Sequence, residues 1–364
     1  MNKNKRIGVL TGGGDCPGLN AVIRAIVKRG ILEYSMGITG ILDGYKGLIN
    51  NNSIPLKIND VSGILSRGGT ILGTSNRDNP FRYLVETDGK KEIKDVSASV
   101  LENIKKLDLS ALIVIGGDGS LKIAYELYKK GVPVVGVPKT IDNDLSCTDV
   151  TFGFDTALIT ATEAIDKLHT TAESHHRVMI VEVMGRNAGW IALHAGIAGG
   201  ADVILIPEIP FSIDSICNKI FERQKYGKKF SIIVIAEGAK EKGGQVVVKK
   251  IVEDTSEAIR LGGIGNLIGD KLEKKTGIET RVTILGHLQR GGNPSPFDRI
   301  LATRFGTEAI QMVHEEQFGV MVALQTPDIV SVPLNEAVRE TKNVKPEGQI
   351  VRTARSIGIC FGDP

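Results

Sequence analysis

Residues 111–120 read ALIVIGGDGS, and residues 132–144 read VPVVGVPKTIDND. Each stretch begins with an apolar run rich in β-branched residues, which is typical of a buried parallel strand. Each then changes to glycines, hydroxyls and carboxylates at the point where the strand would end. Ligands of open α/β sheets bind at the carboxyl ends of the strands. The two stretches therefore predict an α/β fold with a polar site at one edge of its sheet.

The same alternation of apolar runs and helical patterns extends along most of the chain. Strand-like runs are predicted at 6–10, 37–42, 111–115, 132–137, 178–183, 201–207, 230–236, 281–285 and 320–324. Helical patterns are predicted at 20–34, 97–106, 121–130, 156–172, 188–198, 212–224, 257–275 and 297–314. The polar stretch 332–348 is predicted to be an irregular connection. Alternating strands and helices indicate doubly wound sheets with helices on both faces.

Nine predicted strands exceed what one modest sheet usually carries, so we expect two domains. Both are expected to be doubly wound, three-layer α/β/α domains, with the active site in the cleft between them. One domain would comprise 1–153 plus about 290–325, and the other about 154–289 plus the C-terminal segment.

The composition is that of an ordinary globular protein. The 364 residues are 41% hydrophobic and 24% charged, and the net charge is only +3. This near-neutral charge argues against a nucleic acid or a membrane surface as the main partner. No apolar run approaches the roughly 18 residues that a membrane-spanning helix needs, and the first residues do not resemble a signal peptide. The four cysteines are scattered without a C-x-x-C pair, which fits a reducing, cytoplasmic location.

A third glycine-rich stretch, TGGGDCPGLN at 11–20, follows the first predicted strand and opens a helix. This arrangement aims backbone N–H groups and a helix N-terminus at an anion, although a tight glycine turn is the plainer alternative. The stretch does not fit the dinucleotide fingerprint G-x-G-x-x-G, because Asp15, Cys16 or Pro17 occupies a required glycine in every register. It therefore favours a phosphate site and argues against an NAD(P)-dependent oxidoreductase.

Carboxylates at the strand ends complete the outline of a phosphoryl-transfer site. Asp118 can hold a divalent cation, and Asp142 can accept the proton of an attacking hydroxyl. An Asx-turn would explain one carboxylate of the pair Asp142 and Asp144, but not both together. Glu237 ends the apolar run at 230–236, where it could contribute to a helix cap or contact a substrate hydroxyl.

Arginines and a histidine in other loops add candidates for phosphate binding. Arg77 lies in a polar loop, where a surface ion pair is the alternative. Arg186 follows the run at 178–183 in the turn MGRNAG, at the expected start of a helix. Arg281, His287 and Arg290 lie in RVTILGHLQRGG at 281–292, and together they suit a phosphate monoester.

These segments, in this order, resemble the 6-phosphofructokinase family. The resemblance runs from residue 6 to about residue 303 and rests on GGDGS, PKTIDND, MGR and GHLQRGG in combination. GGDG alone is weaker, since NAD kinases and lipid kinases carry a similar element. The resemblance implies phosphorylation of fructose 6-phosphate at its 1-hydroxyl by MgATP. It also implies that the first domain binds the nucleotide and the second binds the sugar phosphate.

The resemblance implies a role for each matching residue. Asp142 would be the general base, Asp118 would hold Mg²⁺, and Thr140 and Arg186 would stabilise the transferring phosphoryl group. The residues implied to bind the phosphoryl donor are Gly13, Arg77, Gly117, Gly119 and Ser120. The residues implied to bind the sugar phosphate are Thr140, Asp142, Asp144, Arg177, Met184, Gly185, Arg186, Glu237, Arg281, His287 and Arg290. Arg177 and Arg281 would come from a neighbouring subunit, which implies a homo-oligomer, at least a dimer and preferably a dihedral tetramer.

Two positions bear on the phosphoryl donor. ATP-using members of the family carry glycine at the position of Gly119, where the aspartate of pyrophosphate users would crowd and repel the α-phosphate. Lys139 is typical of pyrophosphate users, but lysine also occurs there in ATP users of the longer, mixed branch. We expect ATP, because open space at Gly119 matters more than a cation that could contact either donor. A pyrophosphate-dependent enzyme is the alternative, and an inactive relative is not favoured because the base and the substrate arginines are present.

Overall fold

The computed structural model describes residues 5–87, 90–251 and 259–363. The strands are β1 (Arg6–Thr11), β2 (Gly37–Ile41), β3 (Ser53–Leu56), β4 (Tyr83–Thr87), β5 (Lys90–Lys94), β6 (Ala111–Gly116), β7 (Val134–Pro138), β8 (Val178–Val183), β9 (Val203–Leu205), β10 (Ser231–Ala236), β11 (Val248–Ile251), β12 (Ile259–Leu261), β13 (Thr280–Ile284), β14 (Val320–Gln325) and β15 (Asp328–Pro333). The helices are α1 (Leu19–Leu32), α2 (Tyr45–Asn50), α3 (Ser97–Lys106), α4 (Asp118–Lys129), α5 (Phe154–His175), α6 (Trp190–Ala198), α7 (Ile213–Lys225), α8 (Ile264–Thr276), α9 (Pro296–His314), α10 (Leu334–Ala337) and α11 (Gln349–Ser356). Short 3-10 helices cover Ile58–Val61 and Gly286–Arg290.

Seven strands form the larger sheet, in the order β15-β14-β7-β6-β1-β2-β3. The five inner strands are parallel, whereas β3 and β15 join the two edges in antiparallel orientation. The chain runs from β1 outward to β3 and then returns to the other side of β1 at β6. The strand order therefore reverses between β1 and β6, and ligands of this fold class bind at such a reversal, beyond the carboxyl ends of the strands.

Both faces of the larger sheet are covered, because its central strands are apolar on both sides. Ile7, Val9 and Ile113 belong to a buried cluster with residues of α1 and α9 on one face. Leu10 and Leu112 belong to a second buried cluster with residues of α3 and α4 on the other face. This arrangement gives the larger sheet its three layers.

Four parallel strands form the second sheet, in the order β13-β8-β10-β9. Every residue of β8 and β10 is buried. Helices α5 and α6 cover one face of this sheet, and α7 and α8 cover the other. The register of the parallel pairs places the carboxyl ends of β13, β8 and β10 side by side.

The predicted α/β fold class, with helices on both faces of parallel sheets, is confirmed. The antiparallel strands are absent from the sequence-based assignment, because these short, mixed segments lack a buried apolar run. The helix predicted at 257–275 is wrong at its start, and residues 257–258 lie outside the described residues. β12 occupies part of that range, and α8 begins only after Gly262 and Gly263, which have φ of 132° and 91°. The two-domain boundaries stay a prediction.

The segment 332–348 is more ordered than the predicted irregular connection. It contains the end of β15 and the short helix α10, and it buries Leu334 and Val344. No helix in the described part of the chain is long and apolar enough to span a bilayer.

Candidate active site

The carboxyl ends of β1, β6 and β7 lie side by side, as the stretches 111–120 and 132–144 predict for β6 and β7. Thr11 pairs with Ile115, and Gly116 pairs with Pro138, so three loops leave the sheet at one edge. These loops, at 12–18, 117 and 139–153, carry the first glycine-rich stretch, lead into α4, and carry the acidic residues that follow β7. The segments chosen from the sequence therefore meet in space.

The first glycine-rich loop lies directly against the start of α4. A Cβ at Gly12 would lie 2.6 Å from the Ser120 Oγ, and a Cβ at Gly116 would lie 2.4 Å from the Ser120 Cβ. Glycine at these positions lets α4 approach β1 and β6 closely. Ser120 is buried, and its carbonyl accepts the Tyr45 hydroxyl at 2.7 Å. Ser120 therefore lies beside the loop predicted to bind the phosphoryl donor.

Gly13 adopts φ 79°, in the left-handed region that favours glycine. Its N–H donates to the Ser75 carbonyl at 3.0 Å, and its own carbonyl accepts the Thr74 hydroxyl at 2.6 Å. The predicted use of this N–H for a phosphate would therefore require exchange of its bond to Ser75. The same contacts hold the loop that carries the exposed Arg77 against the glycine-rich loop.

Lys139 brings a cation to the same glycine-rich loop. Its side chain is buried, its Nζ donates to the Gly14 carbonyl, and its N–H donates to the Gly116 carbonyl at 3.0 Å. Burial raises the pKa of the neighbouring Cys16 thiol to about 12, although the Lys139 charge opposes that rise. The ammonium of Lys139 is therefore fixed at the loop predicted to bind phosphate.

Asp118 is the first residue of α4, with Gly117 as the preceding cap and Gly119 in the first turn. The Asp118 carboxylate is partly exposed and pairs with Lys122, one turn later, at 2.8 Å. Mg²⁺ keeps several waters and binds through one or two carboxylates plus substrate phosphates, so a single accessible carboxylate fits this ion. Among the described residues, no group of three or more His, Cys, Asp or Glu side chains offers another metal site.

The loop after β7 holds two carboxylates close together, Asp142 buried and Asp144 half-buried. Asn143, at φ 51°, separates Asp142 and Asp144. The Thr140 hydroxyl accepts the Asp142 N–H at 3.1 Å and hydrogen-bonds the Asp144 carboxylate. Burial, and next the negative charge of Asp142, raise the pKa of Asp144 to about 6, although Thr140 and Arg186 oppose the rise. A pair in this environment can take up a proton near neutral pH, as a general base for a hydroxyl requires.

The carboxyl ends of β8 and β10 bring Arg186 and Glu237 together in the second sheet. The Arg186 N–H donates to Glu237 Oε1 at 3.2 Å. Burial raises the pKa of Glu237, whereas this hydrogen bond and the charges of Arg186 and Arg290 oppose the rise. A Cβ at Gly238 would lie 1.8 Å from the Arg186 carbonyl oxygen, so glycine is needed for the contact between the two loops. Met184 and Gly185 directly precede Arg186 at the same edge.

The 3-10 helix after β13 joins this edge to the first sheet. Arg290 Nη1 donates to the Asp15 carbonyl at 3.1 Å, so the guanidinium contacts the first glycine-rich loop. His287 is exposed on the same short helix. Gln289 is a residue that the sequence reasoning missed, although its place inside GHLQRGG could have drawn attention to it. It is fully buried, its Oε1 accepts the Met184 N–H at 2.8 Å, and its Nε2 has no hydrogen-bond partner among the described residues.

Arg177 and Arg281 lie at the opposite end of the second sheet. Arg177 directly precedes β8, and Arg281 lies near the start of β13. Arg177 Nε donates to Glu279 Oε2 at 2.6 Å, and Arg281 pairs with the other oxygen of the same carboxylate. A six-residue strand is roughly 20 Å long, so this chain does not bring the two arginines to the edge that holds Arg186.

Lys342 is a second residue that the sequence reasoning missed. Its Nζ donates to Asn143 Oδ1 at 2.9 Å, so it contacts the loop that carries the two carboxylates. No local sequence signal marks it, because the contact joins residues that are 199 positions apart and depends on the tertiary fold.

Several known proteins are similar to this chain over most or all of its length. The family model described as phosphofructokinase matches residues 6–313. The protein named ATP-dependent 6-phosphofructokinase 2 of Clostridium perfringens is 57% identical over 365 residues, which cover the whole of both chains. The protein named pyrophosphate–fructose 6-phosphate 1-phosphotransferase of Streptomyces coelicolor is 52% identical and covers 98% of this chain and the whole of that protein.

A solved structure extends the similarity from sequence to fold. The crystal structure of Pichia pastoris phosphofructokinase in the T-state superposes with a TM-score of 0.78 and 32% identity. The match covers 98% of this chain and 37% of that longer chain. The family model and the full-length relatives together establish that the chain belongs to the phosphofructokinase family.

Proposed function

We propose that the protein transfers a phosphoryl group from MgATP to the 1-hydroxyl of fructose 6-phosphate, giving fructose 1,6-bisphosphate and ADP. The observation that carries this proposal is the pair of the buried Asp142 and the half-buried Asp144 beside Arg186, where loops from the carboxyl ends of both sheets meet. The similarity over full length to the Clostridium perfringens relative supports ATP as the donor.

Asp142 is the proposed general base. As the sugar 1-oxygen attacks the phosphorus, its proton passes to the Asp142 carboxylate. Asp144 increases the proton affinity of the pair through its negative charge, and the Thr140 hydroxyl fixes the loop by bonding the Asp142 N–H and the Asp144 carboxylate. Arg186 acts electrostatically on this pair, and its guanidinium would stabilise charge on the transferring phosphoryl group.

The donor would lie along the edge formed by β1 and β6. Asp118 would hold Mg²⁺, which neutralises charge on the donor phosphates when it is bound. The other residues proposed to border the donor are Gly13, Arg77, Gly117, Gly119 and Ser120. Since Lys122 pairs with Asp118, binding of the cation would replace this ion pair.

The sugar phosphate would lie along the edge of the second sheet. Met184, Gly185 and Glu237 would line the sugar, and His287 and Arg290 would bind its phosphate. We accordingly assign the donor to 1–153 plus about 290–325, and the sugar phosphate to about 154–289 plus the C-terminal segment. The four free cysteines are in keeping with a cytoplasmic enzyme.

A second copy of the chain would complete the site. Arg177 and Arg281 lie roughly 20 Å along the strands from Arg186, so they would serve the sugar phosphate bound to a neighbour. A dimer meets this requirement, and a tetramer of dihedral symmetry is our proposal for the full assembly.

Pyrophosphate is the second candidate for the phosphoryl donor. The buried ammonium of Lys139 at the glycine-rich loop supports it, as does the 52% identity to the Streptomyces coelicolor relative. A small, highly charged donor would gain from this cation, whereas Gly119 leaves room for the α-phosphate of ATP.

The decisive test is the rate of fructose 1,6-bisphosphate formation from fructose 6-phosphate and Mg²⁺, with ATP and pyrophosphate in parallel. Turnover with ATP alone supports the proposal, and turnover with pyrophosphate alone replaces it with the second candidate. No turnover with either donor rejects both. Gly119→Asp serves as a matched variant, because the added carboxylate should lower kcat/KM for ATP much more than for pyrophosphate.

A further inference from the structure

Residues 341–344, which we call the strap, connect the two loops that carry the proposed catalytic residues. The strap lies beyond residues 6–313, the range that the family model matches. On one side is the loop at 139–153 with Asp142, and on the other is the turn at 184–190 with Arg186. These two loops follow strands of different sheets, so their relative position depends on the contacts that link one loop to the other.

The strap is bonded to the Asp142 loop through both backbone and side chain. Thr341 forms an antiparallel bridge with Leu145, and the Lys342 N–H donates to the Asp144 carbonyl at 2.9 Å. The Lys342 Nζ donates to Asn143 Oδ1 at 2.9 Å, and to the carbonyls of residues 148 and 149 at 3.0 and 2.9 Å. Lysine has three N–H donors and no acceptor, and all three donors are used here.

The strap is also bonded to the turn that carries Arg186. The Trp190 indole N–H donates to the Lys342 carbonyl at 2.7 Å, and the Lys342 Nζ lies 5.7 Å from the centre of the indole ring. Glu208 Oε1 accepts the Val344 N–H at 2.8 Å and the Gly189 N–H at 3.0 Å. Lys342 thus contacts both loops, and Glu208 ties the next part of the strap to the second loop.

We infer that Lys342 is a positioning residue, which fixes the Asp142 loop relative to the Arg186 turn. This inference rests on the proposed function, because the relative position of the two loops matters for catalysis only if Asp142 and Arg186 have the proposed roles. Phosphoryl transfer depends mainly on positioning and on charge stabilisation, so a small displacement of the base should be costly. The Lys342 side chain bonds the Asp142 loop and lies beside Trp190, and it would act through these residues without touching the substrate.

The surroundings of Lys342 explain why a buried cation is tolerated. The charged groups that face it are Asp149 and Asp144, and both favour its ammonium form, whereas burial lowers its pKa to about 8. His194 on α6 is the other titratable neighbour, and its pKa is lowered by burial and by the Lys342 charge. Deprotonation of Lys342 would leave two N–H donors for three acceptors and weaken the connection.

The test compares Lys342→Met with the control Arg223→Met. Both replace a largely buried cation by an uncharged, unbranched thioether, and Arg223 also serves several acceptors, Asp202 and the carbonyl of Phe230. Arg223 lies at the amino end of the second sheet, far from the proposed catalytic loops. We expect both variants to lower Tm, but only Lys342→Met to lower kcat, by roughly 10- to 100-fold, with a much smaller change in both KM values.

The pH profile adds a readout that a purely structural role would not move. We expect kcat of the wild-type enzyme to decline above about pH 8, and this decline to be absent from the residual activity of Lys342→Met. Equal kcat in Lys342→Met and Arg223→Met overturns the inference, as does an unchanged alkaline decline in Lys342→Met.

Trp190→Phe keeps the inference testable if Lys342→Met does not fold. This variant keeps an aromatic ring, although a smaller one, and removes the N–H that bonds the strap, so a several-fold fall in kcat is expected and an unchanged kcat contradicts the inference.

Fluorescence separates failure of this inference from failure of the proposed function. Trp190 is the sole tryptophan of the chain, so emission of the whole protein reports on the residue that contacts Lys342. A wild-type protein without turnover rejects the proposed function and this inference with it. If the wild type turns over normally, and Lys342→Met has the same emission and the same kcat as the wild type, only the role of Lys342 is rejected.

Discussion

The two ends of the second sheet hold arginines in different settings. At the carboxyl ends of the strands, Arg186 and Arg290 are partly buried, and Arg290 contacts the glycine-rich loop of the first sheet. At the amino ends, Arg177 and Arg281 share the Glu279 carboxylate. Roughly 20 Å of strand separates the two ends. The comparison distinguishes arginines that this chain places in its own site from arginines that would serve a second copy.

Turnover should be most sensitive to substitutions at the carboxyl ends of the strands, where the two carboxylates lie. We expect Asp142→Asn to lower kcat by roughly 10²- to 10⁴-fold, because the amide keeps the shape of the side chain but cannot accept the proton. Steady-state kinetics with saturating substrates measure the effect. Asp214→Asn is the control, since Asp214 is an exposed carboxylate on α7 that pairs with Lys275. Near wild-type turnover of Asp142→Asn would remove it from the role of base.

Substitutions at the amino ends of the strands should change substrate binding and leave turnover largely unchanged. We expect Arg281→Ala to raise KM for fructose 6-phosphate about 10- to 100-fold, because a charge-assisted bond to the phosphate is lost, while kcat stays within about twofold. Lys275→Ala, which removes an exposed cation paired with Asp214, is the control. An unchanged KM in Arg281→Ala would mean that the amino end has no part in the site.

Mixed oligomers sharpen the comparison directly. Arg186→Ala and Arg281→Ala subunits damage opposite ends, so a mixed dimer would contain one site with both changes and one intact site. Random pairing after co-expression should then restore about a quarter of wild-type activity at low fructose 6-phosphate, where each variant alone is nearly inactive. Activity no higher than the mean of the two parents would indicate sites built within single chains.

Glu279 competes with a phosphate for the two arginines at the amino end. We expect Glu279→Gln to lower KM for fructose 6-phosphate by up to about fivefold, since the amide still accepts a hydrogen bond but no longer neutralises the arginines. Titration of the sugar phosphate at fixed ATP gives the value. A higher KM would mean that the carboxylate orients the arginines more than it competes for them.

The smallest effect on activity is expected where α9 contacts the start of α5, the helix that leads to Arg177 at the amino ends of the strands. Asp298, in the first turn of α9, is fully buried and accepts the N–H and hydroxyl of Thr156 on α5 at 2.8 and 2.5 Å, and burial raises its pKa to about 6. The folded state therefore binds this proton more tightly than the unfolded chain, in which Asp titrates near 3.9. The resulting stabilisation is complete below about pH 4 and is lost as the pH rises through about 6.

Asp298→Asn should remove this dependence. From pH 5 to pH 8 its Tm should rise relative to that of the wild type by a few degrees, with kcat unchanged. Differential scanning calorimetry at the two pH values measures the shift. A Tm difference that stays constant across this range would show that Asp298 does not titrate in it.

The sequence predicts the centre of each sheet better than its margins. β6, β8 and β10 are long apolar runs, and their burial on both faces is what the β-branched residues indicate. The antiparallel edge strands and the hairpins have no such run, so their short, mixed sequences do not differ locally from the loops around them. The same limit applies to the start of α8, where tertiary pairing of β11 with β12 overrides a helical pattern.

The candidate site shows the same division between local and tertiary information. Glycines and carboxylates that follow strands could be found, since strand ends in a parallel sheet converge by topology. The use of the Gly13 N–H by Ser75 could not, because it depends on the conformation of two loops. Gln289 and Lys342 were missed for a related reason, since each acts through a bond to a chain segment far away in the sequence.

The contact between Gly238 and the Arg186 carbonyl has a consequence for laboratory evolution. A Cβ at position 238 would lie 1.8 Å from that oxygen, well inside the distance at which any side chain can be accommodated by small adjustments. A library that randomises position 238 should therefore return glycine alone among active clones. Engineers who wish to widen the proposed sugar site would have to alter the turn at 184–190 and the loop after β10 as one unit.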